Sequence, residues 1–252
     1  MFRDAPGQGH LTLLGALALA PVLVTAPAAA DSSKPPVVVP HTLFHPPGPD
    51  ESRLAVGLGV SIDFQRYATN GQIPVLPVID LRLRYRLSKS VFAAAELQTM
   101  IVVNTAAAGI GWWTSFSQAP RLSVSFRLLG GTLLGWLVGS GYNTATVSPI
   151  LEPSVTVGLA MDDGLRWTLR EQMVLTRWQF VDNGGYWVEN TQSSVWAGME
   201  TTLTLENLLD RGGNIYVGLG AIFARSSLSL WIPFAQQTEL YFYPRLFFGY
   251  VF

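Results

Sequence analysis

Residues 53–65 read RLAVGLGVSIDFQ. Leu54, Val56, Leu58, Val60, Ile62 and Phe64 share one parity; Arg53, Ala55, Gly57, Gly59, Ser61, Asp63 and Gln65 share the other. Side chains of an extended chain point alternately to opposite faces, so this stretch is a strand with one apolar and one polar face. The next run repeats the arrangement, with Ile79, Leu81, Leu83, Tyr85 and Leu87 against Asp80, Arg82, Arg84 and Arg86. Val91, Ala93, Ala95, Leu97 and Ile101 then oppose Phe92, Glu96 and Gln98.

Further runs near 119–128, 132–142, 150–161, 165–177, 193–205, 214–224 and 239–252 bring the expected count to about ten strands, with eight or twelve as the neighbouring counts. Each run is about ten residues or more, the length at which a tilted strand crosses a bilayer. Ser88-Lys89-Ser90, Leu129-Gly130-Gly131 and Asp162-Asp163-Gly164 read as three-residue turns, with Gly131 and Gly164 at the left-handed position such turns favour. The stretches 67–75, 104–118, 143–149, 178–192 and 225–238 read as longer loops, and 206–213 as a long member of the short-turn side. Short turns at one rim, long loops at the other and an even strand count are the pattern of an antiparallel up-and-down transmembrane β-barrel. The turns set Leu87 opposite Val91, Met161 opposite Leu165, Arg82 opposite Glu96 and Arg121 opposite Gly139. Glu171 falls on the apolar face between Leu169 and Met173, which calls for a bulge or a place near the membrane interface.

Composition agrees. Hydrophobic residues make up 49% of the 252 and charged residues 13%, against about 25% charged in an ordinary soluble domain. Beyond residue 30 no apolar run is long enough for a membrane helix, which leaves a very hydrophobic soluble fold or a barrel that meets lipid with every second side chain. The chain has no cysteine, so disulfides and thiol chemistry are excluded. A net charge of −1 offers no field for nucleic acid.

Leu11 to Val24 is apolar, Arg3 precedes it, and Pro27-Ala28-Ala29-Ala30 supplies small residues, so 1–30 reads as a secretory signal peptide. Residues 31–52 hold Pro35, Pro36, Pro40, Pro46, Pro47 and Pro49 and read as an extended, mostly disordered periplasmic leader. The barrel then occupies 53–252.

The polar face is rich in Gly, Ser, Thr and Arg, with almost no Lys, unlike a soluble exterior. Arg82, Arg84, Arg86, Arg121, Arg127, Arg166, Arg170 and Arg245 share it with Glu96, Glu152 and Glu200 among the carboxylates. Mixed signs on one face fit a lumen closed by Arg–carboxylate pairs, which the planar guanidinium makes in two places at once.

Leu240, Phe242, Leu246, Phe248, Tyr250 and Phe252 alternate to a final aromatic. The ending Tyr250-Val251-Phe252 resembles the terminal strand of bacterial outer-membrane β-barrels. The resemblance implies that Phe248, Tyr250 and Phe252 form an assembly signal, and that the partners are outer-membrane lipid and the barrel assembly machinery. OmpA-like domains and omptin proteases share this general layout, and no member's functional residues map onto the chain.

His10, His41 and His45 all precede the barrel, so histidine-based rim catalysis is not expected, and a histidine metal site would need the leader to fold back. No cofactor or metal is implied, no catalytic residue stands out and the external ligand is unidentified. Glu96, Glu152 and Glu200 read as ion-pair members before they read as an acid/base pair. Trp112, Trp113, Phe116, Trp178, Tyr186, Trp187, Trp231 and Phe234 read as an outer aromatic girdle before they read as an adhesive surface. The functional expectation is a structural or surface-interaction barrel with a plugged lumen. The alternatives are a narrow passive pore, a carboxylate rim enzyme and a soluble secreted barrel.

Overall fold

The computed structural model describes residues 42–47, 52–64, 75–100, 103–116, 119–139, 142–161, 164–182, 184–191, 195–208, 214–224 and 241–252. The expected signal peptide, most of the leader, Trp231 and Phe234 lie outside them.

Among the described residues the elements are β1 (Leu54–Phe64), β2 (Val75–Arg86), β3 (Val91–Thr99), β4 (Val103–Phe116), β5 (Ala119–Gly139), β6 (Tyr142–Ala160), β7 (Arg166–Leu175), β8 (Trp178–Asp182), β9 (Trp187–Thr191), β10 (Trp196–Glu206), β11 (Asn214–Ala224) and β12 (Tyr241–Val251). Ten of them close a ring in chain order, each antiparallel to its neighbours, with β10 following β7 and β12 returning to β1. Closure leaves no barrel edge for lipid to meet. β8 and β9 form a hairpin carried on the extended part of β6.

The expected count of ten holds through two compensating differences. Leu129-Gly130-Gly131 is not a turn: β5 runs straight through it for 21 residues. The stretch 104–118, expected as a loop, is largely β4, and 143–149 belongs to β6. β8 and β9 occupy much of the expected loop at 178–192. The cause is local composition. Ala106, Ala107, Ala108 and Gly109 blur the two-residue period, because small side chains serve both faces. The glycines let β4 and β5 approach closely: a Cβ on Gly109 would lie 2.9 Å from Leu129 Cα, and one on Gly131 2.6 Å from Ala107 Cα. Arg121 and Gly139 therefore share one strand and are not cross-strand partners.

Two turns form as read. Leu87 N–H donates to Val91 O at 2.9 Å, and Met161 N–H to Leu165 O at 2.9 Å, with Gly164 at φ 91°. Both turns lie at the rim where β1 begins and β12 ends.

The two faces are opposite in kind. Leu58, Ile79, Leu81, Ile110, Phe126, Leu128, Leu169, Met173, Leu219 and Phe248 point outward and are exposed. Asp63, Asp80, Arg82, Arg84, Glu96, Glu152, Arg170, Glu200, Glu206 and Arg245 point inward and are buried. Glu171 stays on the outer face: the β7–β10 register runs unbroken through it, and Thr201 opposite donates its hydroxyl to Glu171 Oε1 at 2.7 Å. A hydroxyl partner within the sheet, not a bulge, accommodates the outward carboxylate.

Part of the aromatic girdle sits at the rim opposite to the one expected. Trp112 stacks on Phe126 near the Ser88–Ser90 turn, with ring centroids 6.2 Å apart. Tyr250 and Phe252 belong to the same rim, their centroids 4.9 Å apart. Trp113 is not a girdle residue at all, since it turns inward and is buried with Phe92, Ala94, Ala107 and Leu129.

Candidate functional site: the lumen

Inward residues of consecutive strands meet in the barrel centre because the pleat sends every second side chain there. Arg82 and Glu96 are direct cross-strand partners, as the turn length predicts, and lie 3.6 Å apart. Glu96 also takes Arg170 Nη1 at 3.5 Å and pairs closely with Arg127 Nη1. Arg127 reaches on to Ser154 Oγ at 3.2 Å and Gln172 Oε1 at 3.0 Å. Across the lumen, Arg245 binds Asp63 through two parallel bonds of 2.5 and 2.9 Å and touches Glu200 at 3.3 Å. Asp80 lies 3.6 Å from Arg82. Buried charges of this density persist only when paired.

The structure thus joins Arg82, Glu96, Arg127 and Arg170 in one network and Arg245 with Glu200 in another. Glu152 is buried on the inner face and lines a cavity that Glu96 and Glu200 also line. Arg86, Arg121 and Arg166 also take inward positions but are only partly buried. Phe248 and Phe252 are exposed on the outer face, and Phe252 N–H donates to Val56 O at 2.8 Å across the β1–β12 seam.

The leader departs most from its reading as a disordered segment. Thr42–Pro47 lies among the inward side chains, with every residue but Leu43 buried. Glu206, the last residue of β10, accepts the backbone amides of Leu43 at 2.6 Å, Phe44 at 3.0 Å and His45 at 2.6 Å. Successive amides turned toward one anion form a nest, and burial strengthens each such bond. Arg84 donates to His45 O at 2.5 Å and to Thr42 Oγ1 at 3.4 Å. Phe44 packs edge-on to Tyr216 at 5.0 Å and against Phe247 at 5.6 Å, with the Arg82 guanidinium 4.8 Å from its ring centre.

Inward glycines make room for this packing. A Cβ on Gly57 would collide with Leu43, one on Gly218 with the Phe247 ring, and one on Gly59 or Gly249 with Tyr216. The paired glycines of β1 and β11 serve neighbouring side chains, as their place inside strands implies.

A histidine therefore does reach the barrel interior. His45 Nδ1–H donates to Pro46 O at 2.8 Å, and Nε2 lies 3.4 Å from Ser123 Oγ. Burial, with Arg166 and Arg84 nearby, pushes its pKa down to about 3. The ring is neutral at physiological pH and a weak base, so the Ser123 contact reads as packing. Among the described residues no group of three or more acidic or histidine side chains is arranged to hold a metal ion.

The outward apolar belt and the charged, buried interior define the class: a transmembrane β-barrel. No family model matches the chain, and no curated protein matches it in sequence. Solved structures similar to it include the translocator domain of the autotransporter NalP from Neisseria meningitidis, at 10% identity and a TM-score of 0.35, covering 79% of this chain and 88% of that one. OccAB4 of Acinetobacter baumannii is similar at 11% identity and a TM-score of 0.28, covering 79% of this chain and 62% of that one. A bacterial polysaccharide outer membrane secretin follows at 8% identity and a TM-score of 0.25, covering 79% and 97%.

Proposed function

We propose that this chain is an integral outer-membrane barrel whose lumen is closed by its own leader segment and by the Arg–carboxylate layer beyond it, and that it serves a structural or surface-interaction role. The observation that carries this reading is the seating of Phe44 beneath Arg82 while Glu206 holds three successive amides. The segment comes from the rim where β1 begins, which is the periplasmic rim if both ends of an even-stranded barrel lie in the periplasm.

A closed barrel has no permeation role to perform. Its working surface is then the opposite rim, where the β8–β9 hairpin exposes Tyr186, Trp187 and Val188. The carboxylates considered for rim chemistry stand deep in the lumen, Glu96 on three arginines and Glu200 on Arg245. That placement favours a structural role for them.

Planar-bilayer recording tests the reading. The full barrel should hold near-baseline current, and protein lacking Thr42–Pro47 and carrying Glu96→Gln, which breaks the layer behind the leader, should conduct. Steady conductance by the full barrel, unchanged on removing the segment, would assign it instead to the narrow passive pores.

A further inference from the structure

Glu152 sits in the middle of β6 with its side chain turned into the lumen and 6% exposed. Its neighbours on the charge layer are all engaged: Asp63 and Glu200 with Arg245, Asp80 with Arg82, and Glu96 with Arg127, Arg82 and Arg170. Among the described residues Glu152 makes no hydrogen bond or ion pair. It faces a cavity of about 40 Å³, room for roughly three water-sized guests. Gln98 and Thr105, direct partners across β3 and β4, line the same cavity and bring neutral oxygen atoms to it.

We infer that this cavity binds a small monovalent inorganic cation, sodium or potassium, with Glu152 as its charged ligand and Gln98 and Thr105 as neutral oxygen donors. Charge counting selects the valence. The layer holds five carboxylates, Asp63, Asp80, Glu96, Glu152 and Glu200, against four guanidiniums, Arg82, Arg127, Arg170 and Arg245. One positive charge balances it, whereas a divalent ion would leave it in excess. An unpaired buried carboxylate is costly, and hard oxygen donors suit an alkali cation. A proton on Glu152 would also balance the count, but it would need neither the cavity nor the two neutral donors. Arg245, which lines the cavity too, is occupied by Asp63 and Glu200. The site and the leader's cavity are separate spaces that share Glu96 in their linings, and no residue of Thr42–Pro47 lines the site. The inference therefore stands whether or not the leader closes the lumen.

The test is thermal unfolding of the full chain refolded in detergent, titrated with sodium or potassium chloride against choline chloride at constant ionic strength. Wild type should show a saturable rise in melting temperature of roughly 2–6 °C, and Glu152→Gln should show none. An equal response in both proteins, or no response in wild type, overturns the site. Stabilisation of wild type by acid but by neither cation assigns the charge balance to a proton and overturns it as well. Should Glu152→Gln fail to refold, Thr105→Val decides. It keeps the carboxylate and should raise the half-saturating concentration about tenfold; an unchanged value contradicts the proposed ligand set.

Discussion

Glu206 and His45 stand 161 residues apart in sequence and 2.6 Å apart in space, backbone amide to carboxylate. Through that bond and its two neighbours, the end of a barrel strand holds a segment that precedes the barrel. Replacing Glu206 with Ala leaves buried amides without an acceptor, at about 1–3 kcal/mol for each one left unsatisfied. The expected result is release of Thr42–Pro47 from an otherwise intact barrel. Limited proteolysis should then cut within the leader, while the barrel fragment keeps its β-sheet circular dichroism.

His45 makes that docking sensitive to acid. Its pKa is about 3 when docked and about 6.5 when free. Between those values the free segment binds a proton that the docked one does not, so the His45 contribution to docking is fully present above pH 6.5 and is lost as pH falls toward 3. The loss is on the order of 3–5 kcal/mol over that window. His45→Gln should flatten this part of the pH profile of leader proteolysis. An unchanged profile would place the acid sensitivity elsewhere.

Glu96 is the shared ion-pair partner of Arg82, Arg127 and Arg170. Glu96→Gln removes the negative charge and leaves three buried guanidiniums facing one another. A destabilisation of about 3–5 kcal/mol is expected, as for breaking a buried ion pair from one side. Unfolding in detergent by urea measures it, and an unaltered midpoint would show that the network carries no net stability.

Gly59 gives a packing prediction. A Cβ there would lie 2.7 Å from Phe248 O, across the closing seam, and 3.0 Å from Tyr216 Cζ. Gly59→Ala should cost about 1–3 kcal/mol through overcrowding. Pairing it with Tyr216→Phe, which removes the hydroxyl nearest the new methyl, should recover part of that loss.

Deleting Phe252 separates assembly from stability. The residue is 62% exposed on the outer face and adds one edge of backbone pairing to β1. Its loss should leave refolding in detergent close to normal while lowering the amount inserted in cells. Normal insertion in cells would remove the support for a terminal assembly signal, and failure to refold would give Phe252 a structural role.

Strand existence was legible wherever large apolar and polar residues alternate, as in β1, β2 and β12. It was lost in β4, where alanine and glycine fill both faces, and in β5, where Gly130-Gly131 imitates a turn. The Arg82–Glu96 pair was legible because a three-residue turn sets the register, and register sets the partner. The seat of Thr42–Pro47 was not. Prolines exclude a helix or a central strand, but they do not say whether an extended segment stays in water or enters a lumen. The signal that could have found it was the count of inward glycines on β1, β11 and β12, which leave space for more side chains than the strands themselves supply. Glu206, at the end of its strand and beside an expected turn, gave no sign that its partners were amides from the leader.

An engineered disulfide reports whether Thr42–Pro47 occupies the lumen, because the chain has no cysteine of its own. A Cβ on Gly57 would touch the Leu43 side chain, so Leu43→Cys with Gly57→Cys brings two thiols together inside the barrel. Oxidised protein in detergent should show a peptide cross-linked between residues 43 and 57 by mass spectrometry, and each single variant should not. Free thiols at both positions after oxidation, labelled readily by a maleimide in a folded barrel, would place Thr42–Pro47 outside the lumen.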